Sequence, residues 1–121
     1  MLAVALGASL GALLRWAAGL WVNALWHGFP LGTLVVNCAG GLMIGAALVG
    51  FERWPAELPR AFVVSGFLGG LTTFSAFSGE SLHLLQRGQA VLALLHAAAH
   101  MLGSLACAAA GFALARLVWR G

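Results

Sequence analysis

Four apolar stretches, each long enough to cross a bilayer, take up nearly all of this chain. A hydrocarbon core of about 30 Å is spanned by roughly 20 residues of helix, and apolar runs of that length occupy residues 2–25, 31–51, 61–85 and 90–119. Between them lie His27, Gly28, Phe29 and Pro30, then a polar stretch over residues 52–60 with Pro55 and Pro59, then the turn Gln86, Arg87, Gly88, Gln89. Connections this short make neighbouring helices antiparallel. The expectation is an all-α protein of the cell inner membrane, with residues 1–121 forming a single domain of four transmembrane helices.

Composition narrows the function. Hydrophobic residues make up 62% of the chain and charged residues 7%, against roughly 25% charged in a soluble domain. The charges are Arg15, Arg53, Arg60, Arg87, Arg116 and Arg120 against Glu52, Glu57 and Glu80. No basic run and no interleaving of basic with aromatic residues is present, which sets nucleic-acid binding aside. The first apolar run has no basic leader and no small-residue cleavage site before a polar domain, so it is expected to remain as a helix. Without a sizeable soluble part, the function is confined to the membrane plane: transport, conduction, intramembrane chemistry or scaffolding. Cys38 and Cys107 lie inside apolar runs, where cysteine is ordinarily a small packing residue.

Polar groups within a bilayer are costly and turn toward a bundle interior or a wet cavity, so their spacing is informative. Gly7, Gly11, Arg15 and Gly19 recur every four residues in the first run, Thr33, Asn37, Gly41 and Gly45 in the second, and His96, His100 and Ser104 in the fourth. Close helix packing accounts for the glycines. It does not account for Arg15, Asn37 or the histidines. The third run is different again, reading Gly66-Phe-Leu-Gly-Gly-Leu-Thr-Thr-Phe-Ser-Ala-Phe-Ser-Gly-Glu80. A glycine pair followed by two threonines is a poor helix interior, and a break is expected between Gly69 and Thr73. Irregular backbone at that depth must be buried in protein or line water, and its freed carbonyls suit a hard cation.

The string Gly-Phe-x-Gly-Gly-Leu-Thr-Thr-Phe-Ser-x-Phe-Ser resembles the signature of the small fluoride-specific ion channel family. It is joined by Gly7-Ala8-x-x-Gly11-Ala12-x-x-Arg15, by Gly32-Thr33-Leu34-x-Val36-Asn37-x-x-Gly40 and by Gly103-Ser104, in order along essentially the whole chain. The resemblance implies a homodimer of two subunits inserted in opposite orientations, with two anion pathways along the interface and no enzymatic activity. It also implies a central sodium ion, structural rather than transported, held by the backbone carbonyls of Gly69 and Thr72. Phe74 and Phe77 match the pore phenylalanines, Asn37 the pore asparagine and Ser104 the fourth-helix pore serine, with Thr73 and Ser75 beside them. Arg15 and Glu80 match family positions whose role, in the vestibule or in folding, the sequence leaves open. His100 stands where the family often carries tyrosine, and Ala108 where a further hydroxyl is common.

Such a pore has a physical rationale of its own. Fluoride is small and tightly hydrated, so its water must be replaced by donors such as amide and hydroxyl protons. A phenylalanine edge is the positive end of the ring quadrupole, although ordinary core packing is the competing reading of Phe74 and Phe77. His100, one turn before Ser104, is expected to face the same path as a neutral ring donating one N–H, or else to bond a neighbouring helix. Two rival functions are weaker. A four-helix proton-coupled multidrug exporter needs a carboxylate in its first helix, where this chain has Arg15. A metal or haem site at His96 and His100, spaced i, i+4, lacks a third ligand in sequence. A heteromeric channel subunit also remains open, because Arg53, Arg60, Arg116 and Arg120 lie on one side and Arg87 on the other, a bias toward cytoplasmic termini that a dual-topology dimer does not need.

Overall fold

The computed structural model describes residues 1–25 and 29–120; the turn expected at His27 and Gly28 lies outside the described residues. Four helical spans, Leu2–Leu25, Leu31–Arg53, Glu57–Gln86 and Ala90–Val118, are long and apolar enough to cross a membrane. Large apolar side chains such as Leu10, Leu13, Leu94, Leu102 and Leu105 point outward, as they must where the solvent is lipid. A small apolar core of Val36, Leu68 and Leu71 ties the second and third spans together.

The spans pack as two close pairs, each brought together by glycine. In the first pair a Cβ on Gly11 would strike the Phe67 carbonyl, and one on Gly7 the Phe62 carbonyl, so the first span lies directly on the backbone of the third. In the second pair, a Cβ on Gly45 would strike the Ala108 carbonyl and one on Gly111 the Leu42 carbonyl, which brings the second and fourth spans into backbone contact. Lipid tails provide no hydrophobic drive for helix association, so this close van der Waals approach supplies the packing. At the end of the second span, Arg53 donates to the Trp119 carbonyl, and Trp54 meets Trp119 edge-on with ring centroids 5.4 Å apart. Paired tryptophans of this kind are typical of the membrane–water boundary.

The third span carries the irregularity. It begins as α-helix at Glu57–Arg60, four residues before the start expected from hydropathy. Pro59 is compatible with this because it falls in the first helical turn, where an amide N–H has no partner to lose. Residues Ala61–Leu68 form a π-helical stretch, followed by one α turn, Gly69–Leu71. The chain is then extended at Thr72 (φ −84°, ψ 154°) and Thr73 (φ −152°, ψ 125°) before Phe74–Gln86 resumes as α-helix. The break therefore falls on the threonines, and the glycine pair stays helical. Before the break the span lies on the first span, while beyond it Phe77 and Ser81 meet His100 and His96 of the fourth. The two extended residues redirect the helix from one neighbour to another. Gly88, with φ +74°, makes the tight turn into the fourth span, a left-handed conformation that glycine adopts without penalty.

Candidate functional site

The break is held open by one side chain from the second span. Asn37 presents an amide of the same shape as a peptide group: its Oδ1 accepts from the Thr73 N–H at 2.8 Å and its Nδ2 donates to the Thr73 carbonyl at 3.0 Å. Both polar groups of an extended residue inside the membrane are thereby paired, as a backbone removed from water requires. The second hydrogen on Nδ2 points to Nδ1 of His100, 3.1 Å away. Thr73 closes the next turn itself, its Oγ1 accepting from the Ala76 N–H at 3.1 Å as a helix N-cap.

These bonds leave two carbonyls without their helical donors. In an unbroken helix the Thr73 amide would bond Gly69 O and the Ala76 amide would bond Thr72 O. Here the first goes to Asn37 and the second to the Thr73 hydroxyl. The Thr72 hydroxyl donates to Leu68 O at 2.8 Å, and its methyl rests on Gly40, where a Cβ would collide with it. The neighbouring carbonyl of Gly70 accepts from Nε of Arg15 at 3.0 Å. A guanidinium thus braces the turn just before the break.

Two open cavities meet at Thr73. One, of about 590 Å³, is lined by Asn37, Gly69, Thr72, Thr73, Phe74 and Ser104 together with apolar side chains. The other, of about 720 Å³, holds Arg15, Asn23, Thr33, Thr73 and Ala76. Phe74 is 77% exposed on the rim of the first. Ser75 lies on the exposed side, its hydroxyl 3.2 Å from that of Thr73. Asn37, Gly69, Thr72, Thr73, Phe74 and Ser104 are brought together on this groove, while Arg15 stands on the far side of Thr73.

Phe77 and His100 occupy the interior. The Phe77 ring lies 4.7 Å from His100 and 5.3 Å from His96, centroid to centroid, and tilts against Phe74 at 5.3 Å. His100 is 5% exposed and His96 fully buried. Glu80 reaches this cluster from the third span. The sequence placed His96 on a stripe and offered it only as half of a rival metal or haem pair with His100, outside the anion path. Its surroundings, Ser81 at 3.0 Å from Nδ1 and Phe29 edge-on at 5.3 Å, come from the third span and from the connection before the second. Only the three-dimensional pairing of helices reveals them. Cys38 and Cys107 are free thiols on facing helices.

Comparison with known proteins is consistent over the same span. A family model described as CrcB-like protein, Camphor Resistance (CrcB), matches residues 2–112. The chain is 52% identical over 122 residues to a protein of Aromatoleum aromaticum named fluoride-specific ion channel FluC, covering 99% of this chain and 92% of that one. Proteins of the same name in Bordetella petrii and Chromohalobacter salexigens are 52% and 48% identical, over 94% and 93% of this chain and 89% and 87% of theirs. Four spans and relatives of this kind make it a multi-pass protein of the inner membrane. With the family model covering the helix break, the first three spans and most of the fourth, this chain belongs to the CrcB-like protein family.

Proposed function

We propose that the chain is a fluoride-selective passive channel that lets fluoride leave the cytoplasm and so lowers its toxicity. The observation that carries this reading is the groove at the helix break, where Thr73, Ser104 and the exposed ring of Phe74 meet beside Asn37, in a chain whose relatives are named as fluoride-specific ion channels. Such a protein is not an enzyme: no bond is made or broken, and the work is replacement of the ion's water. Hydroxyl hydrogens of Ser75, Thr73 and Ser104 and the positive ring edges of Phe74 and Phe77 are suited to that. Asn37 has committed both its amide hydrogens to Thr73 and His100, so its part is to hold the track in shape. Because Asn37 donates to Nδ1 of His100, the neutral ring carries its proton on Nε2, a further donor facing the interior.

The working unit in this proposal is a homodimer of oppositely inserted copies with two pores. The exposed Phe74 and Gly69 lie on an open face, and a second copy supplies the missing wall. A sodium ion at the centre fits the residues present: Gly69 O and Thr72 O have lost their helical donors, and a hard cation takes oxygen ligands of this kind. Bound there, it would join the two broken helices. Arg15 stands beside the path as a fixed charge, while Glu80 lies with His96 and His100 in the interior.

Proteoliposomes loaded with fluoride test the reading. With a potassium ionophore setting the voltage, the protein should discharge a fluoride gradient, and a chloride gradient far more slowly. Equal rates for both ions, or no flux of either from intact dimer, would refute it.

A further inference from the structure

A metal site at His96 and His100 needs a third ligand, and the fold supplies it from a facing helix. Glu80, on the third span, offers a carboxylate oxygen to the two fourth-span rings, and one ligand atom from each of the three residues lies within 4.8 Å of the others. The rings themselves are 4.5 Å apart. Oε1 of Glu80, Nε2 of His96 and Nε2 of His100 are all buried without a hydrogen-bond partner among the described residues. Three orphaned polar atoms in one buried cluster are unusual, since such groups are nearly always paired.

We propose that Glu80, His96 and His100 form a site for a divalent transition metal of the zinc class. Two imidazoles and one carboxylate are a known zinc donor set that leaves the fourth position to water. Zinc bonds of about 2.0 Å place tetrahedral ligands roughly 3.3 Å apart, a contraction within reach of side-chain rotation. Part of the outer shell is already in place. Ser81 bonds Nδ1 of His96 at 3.0 Å, the contact that orients a ligating histidine.

The His100 side carries a consequence. Thr73 fixes the orientation of the Asn37 amide, which therefore donates to Nδ1 and leaves the proton of the neutral ring on Nε2. A metal on Nε2 moves that proton to Nδ1, setting donor against donor at Asn37. Metal binding exchanges one neutral hydrogen bond for a metal–nitrogen bond and loosens the contact to the residue that clamps the break. It also removes an N–H donor from the interior. The site is therefore inhibitory, and it exists whether or not the conducted ion is fluoride.

Cobalt(II) is the probe, because its visible absorption reports ligand type and geometry. Purified full-length protein in detergent, titrated with cobalt chloride, should develop bands of a nitrogen- and oxygen-ligated tetrahedral or five-coordinate site, saturating at one metal per chain and erased by equimolar zinc chloride. His96→Gln and Glu80→Gln should each weaken binding at least tenfold while eluting like the parent. His83→Gln, altering an exposed histidine, should leave the bands intact. Should His96→Gln fail to fold, Glu80→Gln decides alone. If both fail, a zinc-induced rise in melting temperature of the parent, equal in His83→Gln, carries the test. Absence of saturable bands and of any thermal shift in the parent overturns the site, as do bands that survive in His96→Gln or vanish in His83→Gln.

Discussion

Asn37 binds both backbone groups of Thr73, accepting from its N–H at 2.8 Å and donating to its carbonyl at 3.0 Å. A side-chain amide thus does for an extended residue what the neighbouring turns do for a helical one. Replacing it with alanine leaves two backbone groups unpaired within the membrane, at a cost of about 1–3 kcal/mol each. Asn37→Ala should lower the melting temperature and reduce fluoride flux at least tenfold. Asn37→Asp, which keeps the acceptor and loses the donors, should be impaired as well. Wild-type flux in the alanine variant would show that the clamp is dispensable.

The two phenylalanines have different surroundings and should fail differently. Phe74 is exposed on the groove, whereas Phe77 packs against both His96 and His100. Phe74→Leu should therefore keep the parent's thermal stability and lose most fluoride flux. Phe77→Leu should also be destabilised, by about 1 kcal/mol from the lost ring contacts. Thermal unfolding measured beside flux separates the two effects, and indistinguishable stability losses would contradict this division.

Helix packing makes a prediction that does not depend on the ion. A side chain at Gly45 would meet the Ala108 carbonyl, whereas nothing lies within 4 Å of a Cβ at Gly79. Gly45→Val should force the second and fourth spans apart, costing about 3 kcal/mol or more for overpacking against backbone, and yield little folded protein. Gly79→Ala should purify like the parent. Size-exclusion profiles of the two report the outcome.

The proposed sodium site depends on backbone shape. Gly69→Val places a branched side chain beside the donor carbonyls on the open face and should abolish flux. Thr72→Ser keeps the hydroxyl that bonds Leu68 O and should retain most of it. Flux indifferent to replacing sodium with a large organic cation, together with an active Gly69→Val, would remove the site.

The spans were legible because each is a long apolar run, and hydropathy needs no knowledge of neighbours. The break was legible as a region but not to the residue. Glycine's low helix propensity pointed to Gly69 and Gly70, yet those residues remain helical and Thr72 and Thr73 are extended, because Asn37 from another span captures the Thr73 amide. The early start at Glu57 was hidden by Pro59, which reads as a loop residue but is harmless in a first turn. The π-helical stretch Ala61–Leu68 left no sequence signal. His96 and Glu80 could not be joined from spacing along one helix, since their proximity comes from how the third span is redirected at the break.

Selective passive conduction is tested most directly by the reversal potential of the current through purified protein in a planar bilayer, with fluoride on one side and an equal concentration of chloride on the other. The account predicts a sustained current whose reversal potential is displaced strongly toward the fluoride equilibrium potential, and its disappearance in Phe74→Leu. A reversal potential at zero would contradict selectivity, and the absence of any protein-dependent current would contradict conduction itself.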